Sequence, residues 1–222
     1  MRPPAPLKPL LRGLARRLGV EIIPARSDQW LRDMPICTVI DVGANIGQFA
    51  LKARRMFPDS QIYSFEPLAE CFDKLVGALG DDFRFRPFHC AVGAREEMLV
   101  IHESSYDQAS SFLAVSDLQV GAFPFTKPKA DETVPVRRLD DVLDQPLPAD
   151  VLLKLDVQGF EAQVLDGAAR ILSEARVVIA EVAFVPMYEG QPLFGEIYER
   201  LIRAGFRLHG VLDQLPDPRD GR

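Results

Sequence analysis

Apolar and polar positions along the chain alternate between two kinds of spacing. Residues 36–42 (ICTVIDV) form a continuous apolar, β-branched run, which is typical of a strand buried inside a parallel sheet. After this run, apolar residues recur at helical spacing, at Ile46, Phe49, Ala50, Ala53 and Phe57. Pro58 cannot continue a helix, so the segment predicts a strand, a turn and a helix that ends near residue 57.

The same two spacings repeat further along the chain. Strand patterns recur at 61–65, 83–88, 134–138, 151–156, 176–183 and 206–212. Helical patterns lie at 68–79, 139–143, 159–172 and 194–204. Strands that alternate with helices predict a parallel sheet with helices on both faces. The predicted fold class is therefore α/β, with a Rossmann-like, mostly parallel sheet.

The alternation breaks between residues 97 and 135. Strand-like pieces at 97–116 surround the polar stretch SSYDQASS, and residues 119–135 are rich in Pro and Gly. We predict a long loop over 119–135, and a loop of this length in a compact domain often serves as a lid or a binding segment. We expect this region, with Phe-Pro-Phe at 123–125, to choose the substrate.

Composition adds the size and the boundaries. The 222 residues are 47% hydrophobic, which suits one globular domain with a sizeable core. We place one globular domain at 36–214, a basic, helical N-terminal extension at 1–35 and a disordered tail at 215–222. The net charge of −6 disfavours nonspecific binding to nucleic acid. A nucleic-acid methyltransferase is also disfavoured because no Asn/Asp-Pro-Pro-Tyr/Phe signature occurs.

The N-terminal segment and the cysteines bear on location. Residues 1–34 contain seven Arg or Lys and three Asp or Glu, so this segment is either a surface helix or an amphipathic helix with weak peripheral membrane contact. No run of 18 apolar residues predicts a membrane-spanning helix. Cys37, Cys71 and Cys90 form no CxxC pair, which indicates reduced cysteines in a cytoplasmic chain and no zinc site. The oligomeric state is left open.

The turn after the first strand has the pattern D-x-G-x-N-x-G. A dinucleotide fingerprint would need glycines where the chain has Asn45 and Gln48. A cofactor without phosphate, such as S-adenosylmethionine, needs only a tight turn and an acidic partner for its ammonium group. The residues of this turn that we assign to cofactor binding are Asp41, Gly43, Ala44, Asn45 and Gly47. Among them, Asp41 with Gly43 and Gly47 suits the amino-acid end, and Asp41 can contact the ammonium group directly or through water. The alternative is that Gly43 and Gly47 only make a tight turn.

The next two strand ends supply further candidate cofactor contacts. Glu66, followed by Pro67, stands about 20 positions after the glycines, where a carboxylate can hydrogen-bond both ribose hydroxyls. Its alternative role is to cap the helix that follows. The third strand leads into His89, Ala91 and Val92, which we expect to edge the adenine because ligands lie at the carboxyl ends of such strands.

Several motifs together resemble one family, in order from about residue 37 to 212. They are DVGANIG at 41–47, FEP at 65–67, AVG at 91–93, SS at 110–111, KLDVQGFE at 154–161 and VLDGA at 164–168. This set resembles the FkbM family of S-adenosylmethionine-dependent methyltransferases. The resemblance implies a class I methyltransferase fold, with a seven-stranded sheet containing one antiparallel strand, and methyl transfer to a hydroxyl of a sugar, glycolipid or natural product.

The resemblance also bears on the serine pair and on one amide. Ser110 and Ser111 match the family's serine pair, which either closes over the cofactor or helps to shape the acceptor site; the alternative is an ordinary turn. Members often carry Glu where this chain has Gln158, so no acid–base role is assigned to Gln158. Lys154 lies inside a strand, and we predict that it pairs with an acidic neighbour.

Methyl transfer to an alcohol requires alignment and a base that removes the hydroxyl proton. Asp156 ends a buried strand, so it is a candidate base or substrate anchor, with helix capping as the alternative. Glu181 ends the next strand and is a candidate to bind a substrate hydroxyl. Asp140, Asp141 and Asp156 make no compact ligand motif, so we predict no metal.

Two other readings stay open at this point. The first is an NAD-dependent short-chain oxidoreductase, which would need the missing glycine and a Tyr-x-x-x-Lys pair that the sequence lacks. The second is a module that binds the cofactor without turnover. The candidate carboxylates Asp41, Glu66 and Asp156 favour an enzyme. The identity of the methyl acceptor does not follow from the sequence.

Overall fold

The computed structural model describes residues 29–104, 110–116 and 128–213. The chain divides into a unit of Met1–Met34 and a unit of Pro35–Arg222. Most of the predicted basic extension, including its membrane-contact interpretation, and the predicted disordered tail lie outside the described residues. Within the described parts, no helix has the length and apolar character that a membrane crossing requires. The cytoplasmic location stays a prediction.

The described elements follow one another in a mixed order. The strands are β1 Thr38–Val42, β2 Gln61–Phe65, β3 Phe85–Phe88, β4 Ala91–Val92, β5 Glu97–Ser104, β6 Pro128–Arg137, β7 Val151–Leu155 and β8 Ala175–Ala180. The helices are α1 Gln29–Arg32, α2 Gln48–Met56, α3 Ala69–Leu79, α4 Leu139–Val142, α5 Glu161–Asp166, α6 Ala169–Glu174 and α7 Phe194–Arg203. Of these described elements, only α1 belongs to the first unit.

Five strands form a parallel sheet in the order β3-β2-β1-β7-β8. Strand β1 lies at its centre and is buried along its whole length, as its continuous apolar run predicts. The predicted α/β class and parallel sheet are therefore confirmed. Seven strands are not found in this sheet: among the described residues, β4, β6 and β5 form a separate three-stranded sheet in which β5 and β6 are antiparallel.

Two predicted segments differ from the structure. The predicted loop at 119–135 is wrong over its last part, because β6 begins at Pro128 and pairs with β5. Along β6, Val134 and Val136 are buried between more exposed neighbours, and this alternation gives a one-sided strand despite the prolines. The predicted strand at 206–212 is also wrong, because residues 206–213 form no strand. Leu208 and Val211 are each 59% exposed, so these apolar residues do not pair with either sheet or pack into the core.

Along the central strands, alternate side chains point to opposite faces of the parallel sheet, and one of these faces carries a large part of the apolar core. Ile40 and Val42 of β1 pack with Leu153 and Leu155 of β7 in a buried cluster that includes residues of α4 to α7. The intervening positions of the two strands point to the other face. The residues at these positions include Asp41 and Lys154, which are register partners on neighbouring strands. A charged pair therefore lies in the middle of the sheet.

Candidate functional site

A cavity of about 280 Å³ opens at the carboxyl ends of β1, β2 and β7. Ligands in open parallel sheets bind at this edge. Nine of the residues predicted to form the site line the cavity: Gly43, Ala44, Asn45, Glu66, Pro67, Ala91, Val92, Ser110 and Asp156. The tertiary structure thus brings together residues from five separate segments of the sequence.

The turn between β1 and α2 requires its glycines. Gly43, Asn45 and Gly47 all have positive φ angles, of 76°, 49° and 93°. A Cβ atom on Gly43 would lie 1.8 Å from the backbone oxygen of Asp156, so the first turn residue and the end of β7 approach each other closely. Glycine permits both the left-handed backbone and this approach.

Every backbone N–H group of the turn 43–47 already has an acceptor within the protein. The acceptors are the Phe65 carbonyl for Gly43 and Ala44, Glu66 Oε2 for Asn45, Asn45 Oδ1 for Ile46 and the Ala44 carbonyl for Gly47. A pyrophosphate site depends on free N–H groups at this position. The turn 43–47 therefore lines the cavity without offering a free backbone N–H group to a pyrophosphate.

Glu66 is a buried carboxylate that also faces the cavity. Its two oxygens accept hydrogen bonds from the backbone N–H groups of Asn45 at 2.8 Å and Leu68 at 2.9 Å, so it fixes the turn and starts α3. Burial raises its pKa from 4.5 to about 7, against the opposing effect of these two N–H groups. Each carboxylate oxygen can accept a second hydrogen bond, which leaves Glu66 able to bind hydroxyls of a ligand.

Asp41 is not among the residues that line the cavity, and its expected contact with the cofactor, directly or through water, stays a prediction. Its side chain is fully buried and lies 3.0 Å from the ammonium nitrogen of Lys154. The predicted pairing of Lys154 with an acidic neighbour is thus confirmed. The Lys154 ammonium also donates to the Gly43 carbonyl at 2.8 Å and lies 3.4 Å from Asp156 Oδ2. Lys154 therefore links the turn, the buried carboxylate and the end of β7.

The charges of this linked group affect one another. Burial raises the pKa of Asp41, and the neighbouring Lys154 charge opposes the shift. For Lys154, burial favours the neutral amine, but the charges of Asp41 and Asp156 outweigh burial and raise its pKa. Lys154 thus stays protonated. Of the described residues that line the cavity, it is the only basic one, and it is already paired.

Asp156 and Glu181, the two candidate catalytic carboxyls, are joined by one amide. The side-chain nitrogen of Gln158 donates to Asp156 Oδ1 at 3.0 Å and, more closely, to Glu181 Oε2. Asp156 lines the cavity and its side chain is 42% exposed, whereas Glu181 is an exposed residue beside it. The opposite side of the amide accepts a 2.8 Å hydrogen bond from the hydroxyl group of Tyr188.

The remaining predicted site residues lie beside the cavity without lining it. His89 is exposed and stacks on Phe72, with 4.6 Å between ring centroids. Ser111 is buried and donates from its hydroxyl to the Gln158 carbonyl at 2.6 Å, which holds the segment 110–116 against the end of β7. Gly47 directly precedes α2 and lies against α3, where a Cβ atom added to it would be 2.9 Å from the side chain of Leu75. Their assigned contacts with the cofactor stay predictions.

Comparison with known proteins decides the family. The family model described as "Methyltransferase FkbM domain" matches residues 41–208, which is most of the chain and includes the end of β1 and the other four strands of the parallel sheet. The chain belongs to the FkbM methyltransferase family.

Two curated FkbM-type relatives match across most of their own length. The chain is 26% identical to "2-O-methyltransferase NoeI" of Sinorhizobium fredii, over 84% of this chain and 74% of the relative. It is 28% identical to "31-O-demethyl-FK506 methyltransferase FkbM" of Streptomyces tacrolimicus, over 80% of this chain and 75% of the relative.

A solved FkbM structure supports the fold. The methyltransferase FkbM from Methylobacillus flagellatus KT superposes on 81% of this chain with a TM-score of 0.52 and 16% identity, and the match covers 40% of that chain. At this identity the likeness shows the fold alone.

Sequence reasoning missed several side chains of this FkbM site. Gln48, Phe49, Phe112 and Gln158 line the cavity, and Lys154 was given no place in it. A lysine inside a run of buried apolar residues was the available signal, because a buried ammonium needs acidic partners nearby. Phe112 had no such signal, since its position depends on the hydrogen bonds that dock the segment 110–116.

Proposed function

We propose that this chain is an S-adenosylmethionine-dependent O-methyltransferase that acts on a hydroxyl group of a small-molecule, sugar-containing or natural-product acceptor. The observation that carries the proposal is the turn 43–47, in which every backbone N–H group has a protein acceptor while the buried Glu66 faces the cavity. Such a site favours a nucleoside without a pyrophosphate. Membership of a methyltransferase family supports the same reaction class.

The residues around the cavity fit this cofactor in two respects. Glu66 has acceptor capacity for the two ribose hydroxyls, and Pro67, Ala91 and Val92 supply apolar walls near it for the adenine. Asp41, Asp156 and Lys154 together carry one net negative charge when both carboxyls are ionised. A net negative site favours a sulfonium cation over an anionic dinucleotide. When bound, S-adenosylmethionine supplies an electrophilic methyl group.

Asp156 is the residue that we assign as the general base. With S-adenosylmethionine bound, a carboxylate oxygen of Asp156 would accept the hydroxyl proton of the acceptor while the acceptor oxygen takes the methyl group. The pKa of Asp156 is lowered because Lys154 and the hydrogen bonds from Glu181 and Gln158 outweigh the effect of burial. Asp156 is therefore ionised, and able to accept the proton, at neutral pH. Glu181 would bind the acceptor beside it.

Two observations support the proposed class of acceptor: the names of the relatives, and a pair of segments that lies next to the cavity. Both relatives are named as methyltransferases that act on oxygen, one at a 2-O position and one on 31-O-demethyl-FK506. Next to the cavity, the segment 111–116 pairs with residues 187–189 through backbone hydrogen bonds between Ser116 and Met187 and between Glu189 and Ala114. We propose that this pair of segments contacts the acceptor.

Calorimetry with S-adenosylhomocysteine and with NAD tests the cofactor assignment. We expect binding of the former only. Glu66→Ala should weaken it by roughly 1–3 kcal/mol, the cost of unmade hydrogen bonds to a charged group. Glu70→Ala is the matched control because Glu70 points to solvent on α3 and pairs with Lys74. Binding of NAD, or no binding of S-adenosylhomocysteine by the wild-type protein, would overturn the proposal.

A further inference from the structure

The side chain of Gln158 occupies an unusual position between the two candidate catalytic carboxyls. Its backbone has a positive φ of 52°, and Ser111 holds its carbonyl with a 2.6 Å hydrogen bond. Non-glycine residues adopt this region at a cost and keep it where surrounding contacts enforce it. The chain thus holds an amide, rather than a third carboxyl, directly between Asp156 and Glu181.

Tyr188 and Asp156 together determine which way the amide faces. The ionised carboxylate of Asp156 can only accept, so the NH₂ group of Gln158 faces it, and the Tyr188 hydroxyl donates to Gln158 Oε1 on the opposite side at 2.8 Å. Tyr188 is 2% exposed, and its backbone and that of Met187 are held by the side-chain oxygen of Gln191. The two N–H bonds of the amide then serve one carboxyl each.

We propose that Gln158 is a positioning residue, which, held by Tyr188, joins Asp156 and Glu181 into one carboxyl pair. This inference rests on the proposed function only for the role of the pair in methyl transfer. The clamp itself consists of the side chains of Asp156, Gln158, Glu181 and Tyr188 and does not depend on the reaction.

The surrounding charges place the proton of the pair on Glu181. The charged or titratable groups that face the pair are Lys154 on β7, Asp41 behind it on β1, Glu161 on α5 and Tyr188. Lys154 lies 3.4 Å from Asp156, which favours the ionised form there. Loss of hydration beside its neighbours, the charge and hydrogen bond of Asp156 and the charge of Glu161 raise the pKa of Glu181 to about 9, although the residue remains exposed at the surface.

The clamp has a consequence for the chemistry. Two carboxyls so close together cannot both ionise cheaply, so a protonated Glu181 can donate to Asp156 or to an acceptor oxygen. A carboxylate at position 158 could not donate hydrogen bonds to Asp156 and Glu181, and its negative charge would repel the charge on Asp156. The base would then bind its proton more tightly and the pair would separate.

Carbon-13 NMR of protein labelled at the Asp and Glu carboxyls tests the clamp without any acceptor. Asp156→Asn and Glu181→Gln assign the two signals. In the wild-type protein we expect Asp156 to titrate below the ordinary range and Glu181 well above it. Gln158→Leu and Gln158→Glu should raise the Asp156 midpoint by about one pH unit or more, with the larger shift for Glu, and Tyr188→Phe should give a smaller shift in the same direction.

Gln145→Glu is the matched control, since the same chemical change is made at an exposed residue. Its titrations should coincide with those of the wild-type protein. If Gln158→Leu lowers the melting temperature but leaves both carboxyl titrations unchanged, Gln158 is only structural and the proposal is overturned. S-adenosylhomocysteine binding, measured on the same samples, separates the two proposals: its absence in the wild-type protein would reject the cofactor assignment and leave the clamp standing.

Discussion

At the scale of single residues, the site depends on buried charges that the chain compensates locally. Lys154 is 7% exposed and compensates Asp41, while Glu66 is 5% exposed and is held by two backbone N–H groups. The sequence predicted a role for each carboxylate from its place at a strand end. It could not show that Asp41 is covered by Lys154, because that depends on the register of β1 against β7.

Glu66 should make the stability of the protein depend on pH. Folding raises its pKa from 4.5 to about 7, so between these values the folded protein holds a proton that the unfolded chain releases. The stability that Glu66 contributes is full below pH 4.5 and is lost as the pH rises through 7. Relative to Glu66→Ala, we expect the wild-type free energy of unfolding to fall by roughly 2–3 kcal/mol from pH 4 to 8.

Urea unfolding of both proteins across this range measures the linkage. Glu70→Ala, whose carboxylate is exposed, should show the same pH dependence as the wild-type protein. A difference between wild type and Glu66→Ala that stays constant from pH 4 to 8 would show that Glu66 titrates normally in the folded state.

Asp156→Asn should separate cofactor binding from catalysis. The amide cannot take the hydroxyl proton, so we expect methyl transfer to fall by at least about 100-fold, whereas the affinity for S-adenosylhomocysteine should change by less than about threefold. The measurement is product formation, by mass spectrometry, with an acceptor found in a library of sugars and natural products. Asp144→Asn, at an exposed residue away from the cavity, is the control. Full turnover by Asp156→Asn would assign the base elsewhere.

At the scale of elements, the local pattern predicted the strand–turn–helix units well, but it failed for part of β6 and for residues 206–212. The backbone N–H groups of the turn after β1 all have acceptors that are close in sequence, between Ala44 and Glu66, so the pattern of this turn is visible in the sequence. Strand β6 was partly read as a loop, since its pairing with β5 joins residues on opposite sides of a long connection. Residues 206–212 have a strand pattern but no strand neighbour.

Gly43→Ala tests the close approach of the turn and β7. A methyl group would meet the Asp156 carbonyl at 1.8 Å and the backbone φ of 76° disfavours alanine, so we expect a loss of roughly 3 kcal/mol or more of stability. Binding of S-adenosylhomocysteine should weaken with it. Gly195→Ala, where nothing lies within 4 Å on α7, should change stability by less than about 1 kcal/mol. Equal effects in the two variants in urea unfolding would contradict the close approach.

At the scale of the whole molecule, the site is a product of topology. The carboxyl ends of β1, β2 and β7 meet because β7 returns to lie beside β1, after the three-stranded sheet has been formed by the chain between them. The separate sheet supplies Ala91, Val92 and Ile101 to the cavity wall. One cavity thus contains residues from both sheets, and its shape follows from how those sheets are connected.

The sequence by itself determined the family, the parallel sheet and the residues at the strand ends, because spacing and turn chemistry act over short stretches of chain. Only the tertiary structure decided which of these residues line the cavity and which are held by other protein groups outside its lining. Lys154 contacts Gly43 across 111 residues, and Gln158 meets Glu181 across 23. Such contacts depend on strand order, register and side-chain direction, which local spacing does not encode.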